Sequence, residues 1–237
     1  NMSRFGGMKT SPVTYGLLGM LAVRSWTGYE LTHQVRRSLR YTWKSSEGHL
    51  YREQKRMVEL GWAVVDVETS GGRSRKRYSI TAEGEEALAA WLATEPQEPN
   101  FEIEGFMRLF YADHGTIADM VLSLEKTAGD ARQMLAELRE FVDEYLAEGG
   151  PLWLLEHSEG GPDAARVEFR GRPMFPERLH VVALVLDATT QLLAQVGQFC
   201  SRTAIEVRAW PSPTHDQLTA STRARLESIQ ARLDRLS

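Results

Sequence analysis

The stretch GGRSRKRYSITAEG, residues 71–84, sets four basic side chains in five positions: Arg73, Arg75, Lys76 and Arg77. A second basic group, Arg52, Lys55 and Arg56, lies in WKSSEGHLYREQKRMVELGW, beside Ser45, Ser46, His49 and Tyr51. Cationic side chains of this kind recognise rather than transform. An arginine fork donates two parallel, charge-assisted hydrogen bonds to phosphate oxygens, and serine hydroxyls and imidazole add neutral ones. The chemistry open to both groups is therefore the binding of a polyanion, provided the fold sets them on one surface.

No comparable set of residues suggests bond-making. His33, His49, His114, His157, His180 and His215 are scattered, and no Cys/His spacing suits a metal. No glycine-rich phosphate loop precedes a helix, and no nucleophile elbow is present. The single cysteine, Cys200, permits no internal disulfide and fits a reducing compartment. These features predict a protein that is not an enzyme and uses neither cofactor nor metal. No apolar run reaches the roughly 18 residues of a membrane helix. The opening NMSRFGGMKT lacks the apolar stretch of a secretory signal. The expectation is a cytoplasmic protein without a membrane partner.

Charge is divided unevenly. The 237 residues carry a net charge of −4, yet residues 1–93 hold 14 Lys and Arg against 9 Asp and Glu, a net of +5. Residues 94–237 hold 14 against 23, a net of −9. The first part is the one suited to a polyanion.

Both basic groups need supports. SPVTYGLLGMLAVRS spaces Val13, Leu17, Leu18, Met20 and Leu21 as one helix face, with Pro12 in the first turn. TGYELTHQVRRSL gives a second helix, with Thr27 as cap and Tyr29, Leu31, Val35 and Leu39 as its apolar stripe. In the third helix, steps of 100° place Leu50, Gln54 and Met57 on the buried side. The same steps place Ser45, His49, Arg52, Lys55, Arg56 and Glu59 opposite, with Tyr51 at the margin, more suited to packing. Gly61 stops the helix. WAVVDVETS alternates as a strand, GGRSR turns, and KRYSIT returns. TAEGEEALAAWL is a helix with Leu88, Trp91 and Leu92 as its stripe. Three helices, a hairpin with a basic tip and a fourth helix make a winged helix-turn-helix. In that arrangement the third helix enters the major groove and the wing reaches the flanking backbone.

These segments, roughly residues 12–92, resemble the DNA-binding domain of PadR-type transcriptional regulators. Gly28-Tyr29-Glu30, the run Ser46, Gly48, Leu50, Tyr51, and above all the wing from Gly72 to Gly84 match the family's pattern. His49 stands where the family commonly has Gln, Arg52 where it has Pro, and Thr27 where it often has His. The first two alter the base-reading face, so the resemblance carries no operator sequence. It does imply a DNA-binding regulator, most often a repressor.

EPQEPN, near residues 95–100, reads as a linker. Beyond it, residues 117–148 and the segment from Glu177 to Trp210 read as two long amphipathic helices. Residues 149–173 read as a loop with Gly and Pro at both ends, long enough to be functional or disordered. The second long helix bears a seam of Val181, Val185, Ala188, Leu192, Val196 and Phe199, suited to pairing with a second copy. A final amphipathic helix carries Leu226, Ile229, Leu233 and Leu236. The resemblance, weaker here, implies a C-terminal helical domain that forms a homodimer. In some relatives small aromatic compounds release DNA. Phe101, Phe106, Phe110, Tyr111 and Trp153 could line such a pocket, or serve only as core. The fold expected is mainly α, with a winged helix-turn-helix over residues 1–93 and a helical dimerisation and effector domain over 94–237. The alternative is a winged-helix module that binds protein and reads no DNA sequence. The partners expected are double-stranded DNA, a second copy and a small aromatic effector.

Overall fold

The computed structural model describes residues 10–41, 43–70, 73–157, 168–169, 172–173, 175, 178–214 and 219–236. The chain divides into two compact units, Asn1–Asn100 and Phe101–Ser237.

In the first unit Ser11 starts α1 (Pro12–Val23), its hydroxyl accepting from the Val13 N–H at 3.2 Å. The helix buries Val13, Thr14, Leu17, Leu18 and Leu21. Trp26–Thr27 forms β1, a strand too short to show alternation in sequence. Thr27 then caps α2 (Gly28–Leu39) in a reciprocal box with Glu30, which satisfies two free N–H groups of the first turn. α3 spans Glu47–Glu59 under the Ser46 cap. β2 (Ala63–Ser70) and β3 (Arg73–Ile80) form the wing, and α4 (Ala82–Leu92) closes the unit. The sheet order is β1-β3-β2, antiparallel throughout, with Trp26 opposite Tyr78 and Asp66 opposite Arg77. Gly61 ends α3 at φ +74°, a left-handed turn that favours glycine. Gly84 is needed for space instead: a Cβ there would stand 2.1 Å from the Trp62 carbonyl oxygen.

Three apolar assignments from the sequence change. Tyr29 is exposed on α2, whose buried face is Leu31, Thr32 and Val35. Leu92 is exposed, and α4 buries Gly84 and Ala87 in its place. Trp91 is only partly covered but stacks flat on Tyr15, with centroids 4.8 Å apart.

In the second unit α5 (Glu104–Phe110) and a short 3₁₀ turn lead into α6 (Ile117–Leu146). α7 (Pro151–His157) follows, so the start of the stretch read as a loop is helical. Proline is tolerated in its first turn, where no intrahelical N–H is required. Glu168–Phe169 and Arg172–Pro173 pair as the short strands β4 and β5. The rest of that stretch lies outside the described residues. α8 (Leu179–Val207) runs antiparallel to α6, since Glu125 pairs with Arg208 while Ala131 lies against Gly197. Their core is Met120, Leu124, Ala128, Cys200, Ala204 and Val207. Burial pushes the Cys200 thiol up, away from the reactive thiolate. α9 (Thr219–Leu233) is exposed along its length, with Arg225 paired to Glu206 of α8.

α8 corrects one expectation about membranes. By length and composition it could cross one, and only 6% of its most apolar window is buried inside the chain. Interspersed Asp187, Gln191 and Thr190 hid that run in the sequence. An apolar helix covered so little by its own chain also fits a helix that packs against another subunit.

Candidate nucleic-acid interface

α3 is held by two polar residues on its buried side. Thr14 of α1 donates a 2.5 Å hydrogen bond to Glu53 Oε2. Gln54, 1% exposed, donates through Nε2 to the Gly28 carbonyl at 3.1 Å and to Thr32 Oγ1 at 2.8 Å. These bonds lock the roll of α3 against α1 and α2. Glu53 and Gln54 were absent from the sequence-derived site, although polar residues falling within an apolar arc were the available signal.

With that roll set, Gly48, Arg52, Lys55 and Glu59 occupy about 60° of arc on the exposed side. Arg52 and Lys55 make no ion pair with any described residue. Tyr51 flanks them and is 40% exposed, so it belongs to the outer surface rather than the core. On the other flank His49 and Arg56 are half-buried, and His49 Nδ1 lies 3.9 Å from Glu53 Oε1. Ser46 is exposed, and its hydroxyl caps the helix by accepting from the His49 N–H at 3.3 Å. Ser45 Oγ is buried without a hydrogen-bond partner among the described residues. Of the DNA-contact residues expected on α3, Ser46, Tyr51, Arg52 and Lys55 are the open ones.

The wing arginines alternate along β3, so Arg75 and Arg77 share a face. Register puts Glu68 opposite Arg75. Its carboxylate nevertheless accepts from Arg77 Nε at 2.6 Å. Arg77 Nη1 also donates to the Ser25 carbonyl at 3.3 Å and lies 3.9 Å from Glu30 Oε2. The hydrogen bond to Glu68 raises the Arg77 pKa further above its usual value. Burial pushes the Glu30 carboxyl up, but hydrogen bonds from Thr27 and the charges of Arg77 and Arg24 outweigh it and leave it lowered. Arg77 thus tethers the wing to the body. Arg75 and Lys76 are exposed, with no ion pair to a described residue. The side chain of Arg73 and the turn residues Gly71 and Gly72 lie outside the described residues.

The aromatic residues considered for an effector do not surround one space in the described chain. Phe106 packs edge-on to Phe199 at 5.6 Å, Phe110 meets Tyr111 at 5.1 Å, and Trp153 stacks on His157 at 4.3 Å. Phe101, Tyr111 and Phe110 are exposed. α5 lies beside Thr127, whereas Trp153 follows the far end of α6, about 30 Å along the helix. Of the seam on α8, Val181, Val185, Ala188, Leu192 and Phe199 are exposed, while Val196 packs on the α6–α8 core. Among the described residues no group of three His, Cys, Asp or Glu could hold a metal ion.

Comparison with known proteins places this geometry. Residues 17–90 match the family described as transcriptional regulator PadR-like. The negative transcriptional regulator PadR of Bacillus subtilis is 24% identical over 140 residues, covering 58% of this chain and 77% of that protein. A probable transcriptional regulator of Mycobacterium tuberculosis is 31% identical over 86 residues, 36% of this chain and 45% of its own. The Bacillus PadR structure in complex with operator DNA superposes with a TM-score of 0.59 at 15% identity, over 83% of this chain and 99% of that one. Its complex with p-coumaric acid gives 0.56 at 16% identity, over 84% and 99%. The Vibrio cholerae virulence activator AphA gives 0.56 at 21%, over 83% and 98%. These structural likenesses concern the fold, and they extend across the helical second unit.

Proposed function

We propose that this chain, which belongs through residues 17–90 to the transcriptional regulator PadR-like family, represses transcription as a homodimer bound to specific double-stranded DNA. Family members are transcriptional regulators rather than enzymes. The observation that carries the DNA-binding reading is one of charge and exposure. Arg52 and Lys55 on α3, with Arg75 and Lys76 on the wing, are exposed cations that the described chain leaves without counterions. α3 enters the major groove with Arg52 at base edges, and the wing grips the flanking backbone. Such a protein works in the cytoplasm of a bacterium, where its DNA lies.

The second copy is assigned to α8. Val181, Val185, Ala188 and Leu192 present an apolar face that α6 does not cover. Pairing there lets two recognition helices act on a two-fold site. Repression follows the Bacillus relative, a negative transcriptional regulator, although the Vibrio relative is named an activator. A small aromatic acid as releasing effector follows the Bacillus complex. Phe106 and Trp153 remain candidates to contact it, now as separate places rather than walls of one pocket.

Hydroxyl-radical footprinting on a duplex recovered from a random pool tests the arrangement. Two protected half-sites about one helical turn apart are expected. A single protected half-site would sink the dimer. Protection without any sequence preference would sink specific repression and favour the protein-binding alternative.

A further inference from the structure

Glu47 is the first residue of α3 and carries an exposed carboxylate on the side facing α2. It ion-pairs with Arg36, which projects from the outer face of α2. A carboxylate in the first turn complements the helix dipole, but on a surface that meets phosphates it also repels them. Ser46 already caps the helix, so Glu47 is not needed for that bond. It lies at the end of the recognition helix whose side chains reach base edges in this fold.

The chemistry of a carboxylate restricts what it could meet there. An ionised glutamate only accepts hydrogen bonds. In the major groove guanine presents two acceptors and thymine one, all repulsive to it. Adenine offers its amino group beside the N7 acceptor, so attraction and repulsion nearly offset. Cytosine offers its amino group with no acceptor of its own in the groove, the nearest being O6 of the paired guanine. Arg36 matters for two reasons. It fixes the direction of a side chain that would otherwise sample many rotamers, and its charge lowers the repulsion between Glu47 and nearby phosphates.

We propose that Glu47 is a specificity-determining residue, accepting from the amino group of a cytosine at one operator position, with Arg36 as the residue that positions it. The proposal rests on the DNA-binding reading above. Sites are selected from a random duplex pool with the full-length wild type, Glu47→Gln and Arg36→Gln, each checked for unchanged circular dichroism and melting. The wild type should show one position where cytosine is preferred over guanine by about tenfold. Glu47→Gln should move that position toward adenine, because an amide pairs with adenine through both its groups. Arg36→Gln should shrink the cytosine preference without changing its identity.

A Glu47→Gln protein that keeps the wild-type preference at every position overturns the proposal. So does an affinity that rises equally on all sequences, since Glu47 would then be only a charge near phosphate. A wild type that selects no sequence refutes the DNA-specific reading itself, and this proposal with it.

Discussion

Arg77 gives its Nε hydrogen to Glu68 at 2.6 Å, while Glu68 stands in register with Arg75. One acidic residue thus separates the wing arginines into two roles. Arg77 is bonded into the body through Ser25 and Glu30, and Arg75 is left for an outside partner. Arg75→Ala is expected to weaken binding to every duplex and to flatten the salt slope by about one unit. Arg77→Ala should leave the slope nearer to wild type and lower stability instead, by on the order of 0.5 kcal/mol for an ion pair at the surface. Anisotropy titrations at several salt concentrations separate the two. Equal slopes for both variants would remove the distinction.

Arg52 is exposed on the outer arc of α3. If it reads a guanine, Arg52→Ala should cost about 1–3 kcal/mol on a selected site and much less on random duplex. An equal loss on both would place Arg52 on phosphate.

Gly84 has no room for a side chain, with the Trp62 carbonyl where a Cβ would stand. Gly84→Ala should lose about 3 kcal/mol through overpacking at the junction of α4 and the wing. A melting curve that matches wild type would show that the junction shifts without strain.

The Thr27–Glu30 box carries a pH signature. The folded Glu30 carboxyl is lowered from an ordinary value of 4.5. A lowered carboxylate contributes stability that is present above the unfolded value and is lost as pH falls through the folded one. Stability of the wild type should therefore decline below about pH 4.5 more than that of Glu30→Gln, whose side chain does not titrate there. Urea midpoints across that window check this, and parallel curves would contradict it.

The exposed face of α8 predicts that Leu192→Glu yields monomers in sedimentation, because a charge would be buried without a partner in the dimer. A variant that remains dimeric would assign the interface to another face.

Periodicity exposed the helices, the wing and the approximate face of α3, because apolar spacing and glycine stops are local properties. What it missed depends on packing. Two residues are too few to show the alternation of β1. The roll of α3 is set by Glu53 and Gln54 reaching α1 and α2, contacts across 39 and 26 residues that no local pattern contains. Tyr29 and Leu92 look like core by type, yet α2 buries Thr32 and α4 buries Gly84 and Ala87 in their place. Arg77 looked equivalent to its neighbours until Glu68 and Ser25 were brought beside it. The aromatic residues of the second unit meet different partners, Phe106 on Phe199 and Trp153 on His157, and the first of these contacts lies in no local pattern.

The most direct measurement is the affinity of the wild type for a selected duplex and for random duplex between about 50 and 200 mM salt. The account predicts tight, selective binding by a dimer, falling steeply with salt, with Arg52→Ala losing the selectivity and Arg75→Ala part of the slope. No binding at the lowest salt, or a weak affinity equal on both duplexes, would contradict it and bring the protein-binding reading forward.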